Sequence, residues 1–241
     1  MLLLLYFSLL IFPLYAIDQS KAIIIYFSRA GENYNVGKVN RGNTEMIVDY
    51  LKEITDIDIY KINPETPYPE NYQETVTLAQ NEKNSNARPV IKDPLTDINS
   101  YDYILLGYPI WHGDLPNIVM NQLEQLNFEG KTIYPFNTHE GSGLGNSIND
   151  IKKSAPKATV KDGFALRGTE ARKDESHESI KNWLKNKLEI DIENNENSES
   201  NDKNENNENN ESNESVPRFQ NNNFIKISMI SMLFTLFLLY P

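Results

Sequence analysis

The chain has 241 residues, no cysteine and a formal net charge of −11. The missing cysteine excludes disulfides, thiolate metal sites, iron–sulfur clusters and cysteine nucleophiles, and the acidic balance excludes the basic footprint of a nucleic-acid-binding protein. Much of the charge sits in one segment, where Asp191, Glu193, Glu196, Glu199, Asp202, Glu205, Glu208, Glu211 and Glu214 are opposed only by Lys203 and Arg218, so the remainder is only mildly acidic.

Residues 1–16, MLLLLYFSLLIFPLYA, are almost wholly apolar. The run is shorter than the roughly 20 residues of a membrane span. It ends on the small Ala16 before the polar Asp18, Gln19 and Ser20, the pattern of a secretory signal peptide; a short buried strand or helix is the alternative. One domain with a full core is expected over 19–190. Residues 21–27 form a continuous apolar, β-rich run, as a central parallel strand buried on both faces requires. A Gly/Asn-rich stretch follows. At Asn43 and Thr44 a helical pattern opens, with Met46, Ile47, Tyr50, Leu51 and Ile54 on one face. The pattern predicts a second strand over 57–62, a loop over 63–69 built on three prolines, and a polar helix over 72–86. A third buried strand spans 101–108 and ends at Pro109. Pro116 then starts a helix, proline being favoured at a first helical position, with Val119, Leu123 and Leu126 inward. A fourth strand is expected over 131–137, a short helix carrying Ile148 and Ile151 after the glycine-rich 141–145, a fifth strand over 158–166, and a last helix over 176–188 with Ile180, Trp183, Leu184 and Leu188 inward.

Residues 191–223 are a low-complexity tract of Asn, Glu and Ser that cannot bury enough apolar area to offset its ordering entropy; a disordered tether is expected. It holds two glycosylation sequons, at Asn210 and Asn213. Residues 224–241, FIKISMISMLFTLFLLYP, are hydrophobic. Small residues at Ser212, Asn213 and Ser215, a polar spacer over 216–223 and this tail have the layout of a GPI-type lipid-anchor signal; a retained tail anchor is the alternative. The two ends together predict a secretory-pathway protein at the cell surface, attached to the membrane through its C-terminal tail.

Five alternations of strand and helix predict an α/β fold, a doubly wound, five-stranded parallel sheet between two helical layers. Ligands of such sheets bind beyond the carboxyl ends of the strands, where the winding reverses. That singles out three loops. In the first, Ser28, Arg29, Ala30 and Gly31 precede Gly42, Asn43 and Thr44 at a helix start. Unpaired backbone N–H groups there favour an anion, with Ser28, Asn43 and Thr44 as further donors and Arg29 as added charge. An ordinary helix cap made by Asn43 or Thr44 is the competing reading. The absence of a Gly-Lys-Ser/Thr sequence excludes a Walker loop. The second loop, Gly107 to Asp114, holds Trp111, whose broad face suits a planar ring; a tryptophan capping the core edge is the alternative. The third, Asn137 to Gly145, combines glycines that permit close backbone approach with Thr138, Ser142, His139 and Glu140. His112 and His139 read either as hydrogen-bonding residues or as acid–base groups, and the three histidines are too scattered to propose a metal site.

The runs IIIYFSRAGENYNVG…GNTEMIVDYL, LLGYPIWHGDLP and PFNTHEGSGLGNSINDIK resemble the flavodoxin-like family of FMN proteins, most closely the branch with an insertion in its phosphate loop. The resemblance covers residues 21–188 and implies strand order 2-1-3-4-5 and a non-covalent FMN. The phosphate would sit at Ser28, Arg29, Asn43 and Thr44, with Gly31 of the same loop also at the cofactor. The isoalloxazine would lie between Pro109, Ile110, Trp111, His112 and Gly113 on one side and Thr138, His139, Glu140, Gly141, Ser142 and Gly143 on the other. The insertion over 32–41 supplies Tyr34 as a second stacking partner. The implied function is electron transfer or NAD(P)H-dependent reduction of a small acceptor such as a quinone. A surface-displayed binding module that kept the fold and lost redox activity is the alternative. A response-regulator-like domain is excluded, since Ser28–Arg29 and Tyr108–Pro109 stand where its acidic residues belong.

Overall fold

The computed structural model describes residues 17–188. The expected signal peptide over 1–16, tether over 191–223 and hydrophobic tail over 224–241 lie outside the described residues. Among the described residues no helix is long and apolar enough to cross a membrane.

In chain order the elements are β1 (Ala22–Tyr26), β2 (Gly31–Asn33), β3 (Gly37–Val39), α1 (Asn43–Ile54), β4 (Asp58–Lys61), β5 (Asn63–Pro64), α2 (Tyr72–Ser85), β6 (Ile91–Lys92), β7 (Tyr103–Pro109), α3 (Asn117–Glu124), β8 (Thr132–His139), α4 (Ser147–Ser154), β9 (Thr159–Val160), β10 (Phe164–Arg167) and α5 (Glu175–Leu188). The main sheet runs β4-β1-β7-β8-β10, with β9 also on β8, and every pairing in it is parallel. Counted as strand positions this is 2-1-3-4-5, the doubly wound order, with the reversal between β1 and β7.

Alternation along each strand feeds two cores. Ala22, Ile24, Tyr26, Leu105, Tyr134 and Phe136 meet Ile47, Val48 and Leu51 of α1 and Ile180, Trp183, Leu184 and Leu188 of α5. Ile23, Ile25, Ile104, Leu106, Tyr108 and Ile133 meet Ile118, Val119 and Leu123 of α3 and Ile151 of α4. Burial on both faces explains why β1 and β7 are unbroken apolar runs rather than alternating ones. Removing such area from water contributes about 25 cal/mol per Å², which makes these two layers the main support of the loops above them.

The structure differs from the sequence expectation in five places. The insertion after β1 is not a bare loop: β2 and β3 pair as an antiparallel hairpin. The proline-rich stretch after β4 begins with a two-residue ladder, Asn63–Pro64 on Ile91–Lys92. The fifth strand is two pieces, β9 and β10, both on β8, separated over 161–163. Pro116 is the N-cap of α3 with extended backbone, one position before the first helical residue. On α1 the buried stripe is Thr44, Ile47, Val48 and Leu51, so Met46, Tyr50 and Ile54 lie at its margin. That rotation brings the Thr44 hydroxyl inward, onto the end of β8.

Candidate functional site

The carboxyl ends of β1, β7 and β8 open into a cleft of about 380 Å³, within the range of small-molecule and cofactor sites. Ten of the residues expected at the site line it: Arg29, Tyr34, Asn43, Pro109, Ile110, Trp111, His112, Thr138, His139 and Glu140. Ser28, Gly31, Thr44, Gly113, Gly141, Ser142 and Gly143 are not among its lining residues. Asn33, Tyr72, Thr75, Val76 and Ala79 also line it, and sequence reasoning missed them.

The floor at one end is the start of α1. Its N-cap is Gly42, which offers no side-chain hydrogen bond. Ser28 Oγ accepts from Glu45 N at 3.1 Å, and Met46 N reaches Gly42 O at 3.3 Å. The capping role therefore falls to Ser28, from the end of β1, rather than to Asn43 or Thr44. Asn43 and Thr44 contribute the first two N–H groups of the helix, where orphan donors and the dipole favour an anion. The Thr44 hydroxyl is buried and lies 2.8 Å from that of Thr138, joining α1 to β8. Ser28→Ala should cost about 0.5–2 kcal/mol of stability, the usual scale of a lost cap. It should weaken a phosphorylated ligand and its dephosphorylated analogue alike; thermal unfolding with paired titrations checks both.

Arg29 does not present its charge to this end. Its guanidinium donates to Pro69 O at 2.7 Å, to Glu70 O at 3.3 Å and to Glu32 O, and burial lowers its pKa. It holds the β2–β3 hairpin to the segment before α2. Glu32 completes that clasp by accepting from Tyr72 N and Asn71 Nδ2, both at 3.0 Å. Lys38 pairs with Glu70 at 2.7 Å. Gly31 is buried, and its backbone runs against Glu70. The hairpin and α2 thus form one wall of the cleft, with Tyr34 and Tyr72 stacked at 5.9 Å and 27°. Tyr34 is 56% exposed.

The opposite wall is a tight turn. Trp111 and Asp114 exchange backbone hydrogen bonds at 3.1 and 2.9 Å. The two residues between them have φ of 48° at His112 and 81° at Gly113. A positive φ at both centres is the geometry of a type I′ turn, which explains the glycine. Several contacts pin the turn. Lys83 donates to His112 O at 3.1 Å and pairs with Asp114 at 2.5 Å. His112 Nε2 donates to Val76 O at 2.9 Å, and Asn146 N donates to Gly113 O at 2.8 Å. His112 is therefore a hydrogen-bonding residue of this wall. The Trp111 ring stands edge-on to Phe27 at 5.3 Å and to Tyr68 at 4.8 Å, so it both packs on the core edge and lines the cleft.

The third loop is carried by β8 and braced beneath. Tyr108 Oη lies 2.9 Å from Ser147 Oγ, and burial pushes the phenol up to about 12, so it acts as a neutral hydrogen-bonding group. Gly141, Ser142 and Gly143 lie outside the cleft lining, and a Cβ at either glycine would meet nothing within 4 Å. His139 Nδ1 accepts from Gly141 N at 2.9 Å, which places the proton of the neutral ring on Nε2. Burial, with Arg167 assisting, holds its pKa below the ordinary 6.5. A depressed folded pKa contributes stability that is present above the unfolded value and lost as pH falls through the folded value. The His139 ring should therefore titrate with a midpoint below 6.5. On the acid side of that midpoint the Gly141 amide, having lost its acceptor, should exchange faster; NMR titration reads both.

The combined chemistry is an anion-favouring helix start at one end and an aromatic slot between Trp111 and Tyr34–Tyr72 at the other. A ligand with an anionic group and a planar ring fits this donor set. Among the described residues no group of side chains is arranged to hold a metal ion.

Comparison with known proteins agrees. The sequence pattern of the family described as flavodoxin matches residues 21–187. A protein designated a flavoprotein from Bacteroides uniformis ATCC 8492 shares 26% identity, covering 69% of this chain and 98% of its own, with a TM-score of 0.56. Another from Bacteroides eggerthii DSM 20697 shares 29% identity over 71% of this chain and 99% of its own, with a TM-score of 0.52. No curated protein matches the chain.

Proposed function

The chain belongs to the flavodoxin family, and from that premise we propose that it is a redox flavoprotein holding FMN non-covalently in this cleft. The observation that carries the reading is the pairing of two ends in one cavity: the start of α1 and the aromatic slot. The Asn43 and Thr44 N–H groups would hold the phosphate. Trp111, Ile110 and Tyr34 would flank the ring, and Thr138 and His139 would offer hydrogen bonds to its polar edge. FMN, when bound, supplies hydride or single-electron chemistry that no side chain of this cysteine-free protein can supply. The protein's own contribution is orientation and exclusion of water. The pinned turn at Trp111–Asp114 fixes one face, the clasped hairpin the other, and the neutral His139 donates from Nε2.

The acceptor we propose is a small planar molecule such as a quinone, with a nicotinamide cofactor or a redox partner as electron source. The exposed Tyr34 ring at the mouth supports an aromatic visitor. We further propose, from the composition of 1–16 and 224–241, that the domain is carried through the secretory pathway and held at a membrane surface. Peptide mapping of the mature protein tests that placement: recovered peptides from 224–241 would overturn a cleaved lipid-anchor signal.

The test of the main reading is the visible spectrum of the purified full-length chain, with mass analysis of any released cofactor. A yellow protein releasing FMN is expected. A colourless protein that cannot be reconstituted with FMN would refute the reading and favour a binding module on the same scaffold.

A further inference from the structure

We infer that Arg172 is the charge that makes the cleft select a phosphate-bearing flavin, an inference that rests on the FMN reading above. The segment between β10 and α5 is not itself among the cleft's lining but packs directly behind three residues that are, Asn43, His139 and Glu140. Gly168 N donates to His139 O, and Thr169 N donates to Glu140 Oε1, both at 3.0 Å. The packing is close: a Cβ at Gly168 would collide with the Asn43 amide and stand 3.0 Å from Glu140 Oε1. Arg172 follows on this segment and is half-buried. Its Nη1 donates to Arg41 O at 2.9 Å and to Asn43 Oδ1 at 3.3 Å. One guanidinium is thus fastened onto the residue that begins α1 and lines the cleft.

Its neighbours explain why this cation matters. Arg29 is engaged by three carbonyls. Arg41 pairs with Asp49 and Glu45, Lys61 with Glu45, and Lys38 with Glu70. Arg29 and Arg172 are the two in this group that donate, among the described residues, only to neutral oxygens, and of the two it is Arg172 that is fastened onto the start of α1 while Arg29 is spent on the hairpin clasp. The Arg172 Nη2 and Nε hydrogens are free of its two bonds, since a guanidinium carries five donors in a fixed fork. A half-buried cation without a counter-charge, beside two helix-start N–H groups, is complementary to a dianion. Sequence position hides this: Arg172 is 129 residues from Asn43 and lies beyond the last strand, outside the three loops.

The test compares FMN with riboflavin, which has the same ring and no phosphate, by flavin fluorescence quenching in the full-length protein. Arg172→Gln is expected to weaken FMN about tenfold, the scale of one charge-assisted hydrogen bond, and to leave riboflavin unchanged. Arg172→Lys should recover most of the loss by restoring the charge. Added salt should weaken FMN binding more steeply in the wild type than in Arg172→Gln. Equal losses for the two flavins would overturn the inference and leave Arg172 as a structural tie on Asn43. Unchanged FMN affinity would overturn it as well. A wild type that binds FMN beside an unaffected variant defeats this inference alone, whereas a wild type that binds neither flavin defeats the FMN reading with it.

Discussion

Gly42→Ala is expected to lower FMN affinity by about a hundredfold, the combined scale of two charge-assisted hydrogen bonds, while riboflavin loses far less. The reason is steric. A Cβ at Gly42 would stand 2.5 Å from the Arg29 carbonyl oxygen and closer still to the Ser28 hydroxyl. The backbone of Gly42 is extended, with φ −71°, so alanine has no conformational objection; only the approach of the two loops forbids it. Moving the Ser28 hydroxyl aside would not be enough, because the Arg29 carbonyl is backbone; relief must come from moving the first turn of α1, which displaces the Asn43 and Thr44 donors. Overpacking of this kind costs about 1–3 kcal/mol, which for a domain of this size lowers Tm by roughly 2–4 °C per kcal/mol. Calorimetry with paired flavin titrations reads both effects. An undiminished FMN affinity would show that the α1 start does not hold the phosphate.

Trp111→Ala tests the other end and should show the opposite signature. Loss of a stacked aromatic is worth about 1–3 kcal/mol, so FMN and riboflavin should both weaken by roughly 5- to 150-fold, in equal proportion, because they share the ring. Some stability should also go, since the indole leaves Phe27 and Tyr68 without their edge-on partner. A loss of stability with no loss of flavin affinity would return Trp111 to a purely structural role at the core edge.

The parts of the fold that were legible share one physical cause. β1 and β7 are buried on both faces, and strands so placed are apolar throughout, so their sequence announces them; β8 does so only over 133–136, its end being the buried polar Asn137 and Thr138. The loops after them are legible for the same reason, being where an apolar run stops at Ser28, Pro109 or Asn137. The missed parts have no such signal. α2 presents Thr75, Val76 and Ala79 to the cleft from a helix that is otherwise polar, because a helix facing a ligand cavity needs no wide apolar stripe. The hairpin over Gly31–Val39 has strands of three residues each, too short for alternation to register. The direction of Arg29 could not be read either, since its partners are carbonyls near residue 70, brought close only by the fold. The break in the fifth strand likewise follows from edge position: a strand paired on one side tolerates an interruption that a central one would not.

The clasp between the hairpin and α2 has a kinetic consequence. That wall shares no ladder with the main sheet; β2 and β3 pair only with each other. It is fastened by the Arg29 guanidinium, the Glu32 carboxylate and the exposed Lys38–Glu70 pair, polar contacts individually weaker than the apolar layers beneath. Segments of this kind open on their own at a free energy well below global unfolding. Traffic of ligand should accordingly run through the hairpin side, with the pinned Trp111 turn standing still. Hydrogen exchange should find the amides of 31–39 the least protected around the cleft, and slowed selectively when the cavity is filled. The residence time of whatever binds is then set by a latch of four side chains, which evolution can loosen or tighten without touching the sheet.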